Sequence, residues 1–298
     1  MLRTLLRFSR PHTIIATSVQ VFTIFLIVVG SLQALPAALG PVGLALITCL
    51  ALNLYVVGLN QLTDVSIDRI NKPHLPLAAG DFSPQEGRRI TFAAGALGLV
   101  LALIAGPYLF VTVALIMAIG TIYSVPPLRL KRFPIPAALS IALARGLIAN
   151  LGLALHYNQV FGGQIPVVTL SLLGLFFFGF ALVIAIYKDL PDREGDQLHQ
   201  IETFTTRLGP RQVLNSGRVI LTVCYAIPML LALVWMPGAA PFFLLLSHIV
   251  LSAIFWWGSL RVDLGDNQSI TRFYMLIWAI FYAEFIVLSI YELIRVNS

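Results

Sequence analysis

The sequence predicts an all-α fold: a multi-pass transmembrane bundle of about nine helices in a single membrane domain, 1–298, around a central cavity open to the cytoplasmic or stromal side. Three observations carry that expectation. Of the 298 residues, 58% are hydrophobic and 11% charged, with a mean hydropathy of +0.90, far outside the range of soluble domains. Apolar runs of about 20 residues, the length that crosses roughly 30 Å of hydrocarbon, recur along the whole chain. The runs are continuous rather than alternating, which argues against a lipid-exposed barrel.

Taken in order, the first span is 12–34. It is too long for a cleavable signal and no small-residue cleavage site follows it, so it is expected to be retained. No plastid transit segment precedes Met1, which favours a bacterial source. The second span, 42–63, runs into LNQLTDVSIDRINKPHLPLAAG, residues 59–80. Ser83, Pro84 and Glu86 read as an N-cap, a first-turn proline and a capping box ahead of the third span, 89–106. Spans 108–124, 135–156, 166–188, 217–236, 241–260 and 272–294 follow. Cys49 and Cys224 lie inside spans and read as small hydrophobes, with no disulfide and no cysteine metal site expected.

Nine spans place the amino terminus and the connections after the second, fourth, sixth and eighth on one side of the membrane. All nineteen Lys and Arg fall there except Arg145, inside a span, and Arg295, near the carboxyl end. By the positive-inside rule that side is cytoplasmic, or stromal in a plastid. On the opposite side, 35–41 and 157–165 carry no charge. Chemistry that needs charge therefore belongs on the cytoplasmic side. The net charge of +6 reads as topology signal and attraction to anionic lipid; nothing points to nucleic acid.

Two acidic constellations stand out against this background. Asn60, Asp64 and Asp68, spaced by four, would share one helical stripe about 12 Å long. Asp189, Asp192 and Asp196 share a face if their helix continues past Pro191, which can also kink or restart it. One solvated helix end explains one such cluster, but not two on the same side. Five carboxylates and an amide around one cavity need cations, and oxygen-only ligands select a hard metal. Mg²⁺ bridging a diphosphate fits. Zinc does not, because His199 is the only imidazole nearby.

Arg10, Lys72, Arg129 and Lys131, with Tyr123 closing the fourth span, are candidates to neutralise phosphate oxygens, although topology alone would also place cations there. The reaction so served is departure of diphosphate from an allylic carbon in a dry, apolar chamber. Tyr55, Phe176, Phe177, Phe178 and Tyr187 are candidate ring faces for the resulting cation, but Phe and Tyr are common in any membrane helix and core or lipid packing is the favoured reading of each.

These residues resemble the UbiA-type intramembrane prenyltransferase superfamily, which carries NxxxDxxxD after one helix and a second aspartate-rich motif about four helices later. The likeness covers nearly the whole chain. GLNQLTDVSIDRINKPHLPLAAGDFS and YKDLPDREGDQLHQIETFTTRLG are similar to the homogentisate prenyltransferase branch, as are RFSRPHTIIAT and YSVPPLRLKRF. The resemblance implies transfer of a prenyl group to homogentisate with loss of its carboxylate. Phytyl diphosphate is the favoured donor, as in the homogentisate phytyltransferases of tocopherol (vitamin E) synthesis; geranylgeranyl and solanesyl donors share the motifs.

On family roles, Asn60, Asp64, Asp68, Asp189, Asp192 and Asp196 would hold two Mg²⁺ and the diphosphate, with Asp64, Asp68, Asp189, Asp192 and Lys131 catalytic. Arg10, Lys72, Tyr123, Arg129, Lys131 and Lys188 would contact the diphosphate. Segments 69–89 and 189–216 would cap the cavity.

Arg145 is a charge about 15 Å along the fifth span, open between a substrate or diphosphate role and a structural pair with Glu284. Asn150 is expected to bond another helix. The rival readings are a transporter or quinone carrier, which would place its acids near the midplane, and a chlorophyll synthase, which the NKPHLPLA stretch argues against.

Overall fold

A computed structural model describes residues 2–162, 165–198 and 201–298. Gly163 and Gln164 of the uncharged connection, and His199, the imidazole weighed as a zinc ligand, lie outside them. Among the described residues there are nine helices long and apolar enough to cross a membrane, and no strand. They are α1 (Pro11–Val29), α2 (Leu35–Thr63), α3 (Pro84–Ala105), α4 (Pro107–Ser124), α5 (Pro134–Phe161), α6 (Val167–Tyr187), α7 (Pro210–Trp235), α8 (Ala239–Arg261) and α9 (Asn267–Asn297).

Several helices outrun the predicted spans, most clearly α7, which begins seven residues before 217 with Pro210 and Arg211. Hydropathy locates the stretch in hydrocarbon, whereas a helix continues into the polar zone wherever its backbone bonds can be made. The helix ends obey local chemistry. Ser83 Oγ accepts from Glu86 N, and the Glu86 carboxylate accepts from Ser83 N, closing the expected capping box of α3. Asp266 caps α9 by accepting from the amides of Gln268 and Ser269.

Consecutive helices pack side by side from α1 to α9, and α9 packs back against α1, so the spans form a closed ring. Outward faces carry exposed aliphatics such as Leu103, Ile104, Val167 and Leu230, as lipid contact requires. Inside the ring, Phe177 stacks on Phe285 with centroids 4.0 Å apart, and Phe176, Phe180, Tyr225 and Phe281 pack around them. That packing agrees with the ordinary reading of the candidate aromatics rather than with a cation-facing one. Phe176 and Phe177 belong to this core, Tyr187 donates to Leu214 O at 2.7 Å, and Tyr55 bonds Thr121 Oγ1 at 2.8 Å. With Phe178 they all lie away from the cavity wall described below.

Two spans contain π-helical turns, Ala142–Ile148 in α5 and Leu172–Phe176 in α6. They lie against each other. Gly146 permits this: a Cβ there would run into the Phe177 carbonyl oxygen. Asn150 Nδ2 donates to Gly146 O (2.7 Å) and Leu173 O (2.9 Å), and its Oδ1 accepts from Gln20 on α1. Asn150 thus bonds neighbouring helices, as its sequence context suggested. Glu284, buried on α9, faces His248 Nε2 at 3.4 Å, so the Arg145–Glu284 pair does not form.

Candidate active site

A cavity of about 650 Å³ lies at the end of the ring that carries the charged connections. Its apolar wall includes Val56 of α2, Ile116 and Ile119 of α4, Ile141 and Ala144 of α5 and Ile184 of α6. Its mouth is built from the two acidic segments.

The first segment is not one continuous helical stripe. α2 ends at Thr63, Asp64 leaves helical geometry (φ −121°, ψ 15°), and a short helix resumes over Val65–Asn71. Side-chain demands coincide with the break. Lys131 Nζ donates to Asp64 Oδ1 at 2.6 Å and to Thr63 Oγ1 at 2.7 Å. Arg129 donates to the same carboxylate oxygen at 3.1 Å and to Thr63 O at 3.2 Å. Asn60 Nδ2 donates to Asp64 Oδ2 at 2.9 Å, while Asn60 Oδ1 accepts from Arg10 at 3.3 Å. Despite the break, Asn60, Asp64 and Asp68 all line the cavity.

The second segment restarts at its proline. α6 ends at Tyr187, a turn carries Asp189 and Asp192, and a new helix, Arg193–Leu198, presents Asp196. Pro191 has no N–H with which to continue the ladder. Lys188 Nζ donates to Asp189 at 2.5 Å, and Lys72, from the first segment, pairs with Asp192. Asn71 joins the segments a second time: its Oδ1 accepts from Gly195 N at 2.8 Å and its Nδ2 donates to Asp196 Oδ1 at 3.5 Å.

Burial and charge set the protonation of these groups. Burial pushes the Asp68 carboxyl up to about 6, with Arg10 and Lys72 opposing. Asp196 is pushed up to about 7 by burial, then by Asp189 and Asp192. Burial also raises Asp189, against the pull of Lys188. It draws the Lys131 ammonium down to about 8, although Asp64 favours its charged form. Burial and close charge together set these carboxyls apart from ordinary surface groups.

Every acidic, amide and cationic candidate except Arg129, and Tyr123 with them, lines this one cavity. Arg129 bonds Asp64 from behind, out of a left-handed turn (φ 39°), so it acts on the carboxylate rather than on a ligand. The acids do not form a preassembled metal cage: among the described residues no three of His, Cys, Asp or Glu converge to metal-binding distance. Lysines hold Asp64, Asp189 and Asp192 instead. The donor set still suits a hard cation. It is all oxygen, and Asp68 Oδ2 is buried without a hydrogen-bond partner.

Among the wall residues that sequence reasoning missed are His12, Asn71, Tyr274 and Trp278. Asn71 adjoins a singled-out lysine and was within reach of the same argument. The aromatics of α9 carry no local signal, because they look like any membrane tyrosine or tryptophan until α9 closes the ring.

The model of the UbiA prenyltransferase family matches residues 12–280. Homogentisate phytyltransferase from Synechocystis is 44% identical over 287 residues, covering 94% of this chain and 92% of that protein. The chloroplastic homogentisate solanesyltransferase of Arabidopsis thaliana is 38% identical over 292 residues, covering 94% of this chain and 74% of the relative. The solved structure of a UbiA homolog from Archaeoglobus fulgidus bound to GPP and Mg²⁺ has the same fold, with a TM-score of 0.66, 20% identity, and 96% and 99% of the two chains covered.

Proposed function

The chain belongs to the UbiA prenyltransferase family, and from that premise we propose that it prenylates homogentisate, with phytyl diphosphate as donor. The observation that carries the reading is one cavity whose mouth gathers five aspartates, Asn60 and four cations above an apolar chamber. The 44% identity to a homogentisate phytyltransferase supports both substrates. The products are 2-methyl-6-phytylbenzoquinol, CO₂ and diphosphate. A ring carbon bonds to the allylic carbon as its bond to diphosphate oxygen breaks. The ring proton is released; the side chain loses its carboxylate as CO₂ and takes up a proton to become methyl.

Asn60, Asp64, Asp68, Asp189, Asp192 and Asp196 would hold two Mg²⁺, which when bound offset charge on the leaving diphosphate. Lys131, Lys72, Lys188 and Arg10 supply the remaining positive charge, each now occupied by a group of the acidic segments that a metal-bound diphosphate would displace it from. Tyr123 lies beside Lys188 on the wall. The apolar wall excludes water, which would otherwise capture the allylic cation. Segments 69–89 and 189–216 serve as the caps of the mouth, and the charged end faces the cytoplasm, as the distribution of Lys and Arg supports.

A geranylgeranyl or solanesyl donor is the second reading, supported by the 38% identity to a solanesyltransferase. One assay separates these. Membranes containing the protein are given labelled homogentisate, Mg²⁺ and each prenyl diphosphate, and the lipid product is identified. Phytylated methylquinol is expected; a longer-chain product alone would move the donor, and no prenylated product would remove the reading.

A further inference from the structure

Arg145 is the cation that the diphosphate site leaves over. Arg10, Lys72, Lys131 and Lys188 each bond a side chain of the two acidic segments, and Arg7 is tied to Asp81 and to His74 O. Arg145 bonds none of them. It lies within a membrane-spanning helix, on the cavity wall, with no ion pair or hydrogen bond among the described residues. Its neighbours are aromatic instead. The guanidinium carbon stands 5.0 Å from the centroid of the Trp278 ring, and Tyr274 shares the cavity wall with it. Trp278 in turn touches the His12 ring, with centroids 5.1 Å apart.

An ionised guanidinium inside a membrane protein is costly unless an anion meets it, and such charges mark substrate paths. Cation–π contact with Trp278 orients the group and recovers part of the cost, but leaves its N–H donors unused. The cavity must admit two anions under the proposed function: a diphosphate, for which the acidic segments and four cations are present, and an aryl acid. Glu284, the one protein carboxylate the sequence offered to Arg145, is turned to His248.

We propose that Arg145 is the carboxylate-binding residue of the acceptor subsite, and that His12, Tyr274 and Trp278 form the aromatic wall against which the acceptor ring lies. This rests on the homogentisate reading and deepens it. Arg145 selects an aryl acid over the same ring without its carboxylate, and it takes no part in holding the diphosphate. The planar guanidinium suits a carboxylate in a two-pronged bond, for which lysine is a poor substitute.

The test compares wild type with Arg145→Gln and Arg145→Lys in detergent with Mg²⁺. Binding is read without turnover by calorimetry, with inorganic diphosphate present, for homogentisate and for methylhydroquinone, which has the ring but a methyl in place of the carboxymethyl group. Arg145→Gln is expected to weaken homogentisate about 10- to 100-fold while leaving methylhydroquinone and the KM for donor within about twofold. Arg145→Lys is expected to fall between. Equal losses for both ring compounds, a matching rise in donor KM, or no change would each overturn the assignment. Retained diphosphate binding shows that a variant is folded; if only the lysine variant passes, the same ratio is read from it. Wild type that binds homogentisate but forms no prenylated product would defeat the functional reading and leave this ratio to judge Arg145.

Discussion

The two acidic segments have similar composition but are anchored differently. Asp64 of the first is gripped from outside, by Arg129 and Lys131 of the α4–α5 connection. Asp192 and Asp196 of the second are held largely by the first segment's own tail, Lys72 and Asn71. The first is therefore built into the ring, whereas the second depends on the first. Side-chain exposure follows the same order: Lys131 and Asp64 are 10% and 12% exposed, Lys72 and Asp192 27% and 15%. The NKP stretch thus ties the two halves of the site together through Asn71 and Lys72.

The largest expected effect breaks this comparison at its centre. Asp64→Asn and Asp192→Asn should each lower kcat/KM by about 10²- to 10³-fold or more, since each removes charge from where the leaving group is stabilised. They should differ in stability. Neutralising Asp64 leaves Lys131 and Arg129 buried beside an amide, and the melting temperature in detergent should fall. Freeing the more exposed Lys72 should leave melting close to wild type. Full activity in both variants would sink the diphosphate site.

A smaller effect tests the dependence of one segment on the other. Asn71→Ala removes two bonds to the 193–198 helix, so amide exchange there should accelerate and donor KM should rise about tenfold. Lys131→Ala should raise donor KM by a similar factor without altering exchange in 193–198. Equal exchange in the two variants would show that the segments are anchored alike.

The mildest effect is in pH. Asp68 and Asp196 titrate near 6 and 7 rather than near their ordinary 3.8, so below those values a bound cation must displace protons. Mg²⁺-dependent donor affinity should therefore strengthen as pH rises through 6 to 7, and weaken above about 8, where Lys131 loses its charge. Metal-free stability runs the other way across the acid range. Both carboxyls are weaker acids folded than unfolded, so their contribution is greatest below about pH 4 and is lost as pH rises through 6 to 7. Calorimetric Mg²⁺ titrations and metal-free melting curves between pH 4 and 9 check both slopes.

Much of the site was legible because its signals are local. Asn60, Asp64 and Asp68 stand out against an apolar background, and Asp189, Asp192 and Asp196 repeat the pattern on the same side. The restart after Pro191 was open to view, since a proline cannot continue the ladder, but the break at Asp64 was not, because it coincides with bonds from Lys131 and Arg129 far along the chain. Which aromatics line the cavity was illegible for a related reason. Tyr55 and Tyr187 follow the same composition rules as Tyr274 and Trp278, and only helix orientation decides that the second pair lines the cavity and the first does not.

By itself, then, the sequence determined the membrane fold, the nine spans, the side on which charge collects and the two acid clusters, since each depends on residues near one another in the chain or on the solvent that the helix meets. Only the tertiary structure decided the rest: which lysine holds which aspartate, that Glu284 turns to His248, and that Arg145 faces the cavity against Trp278 with no carboxylate among the described residues to meet it. Those are matters of rotation about helix axes once the ring closes, and side chains more than a hundred residues apart settle them together.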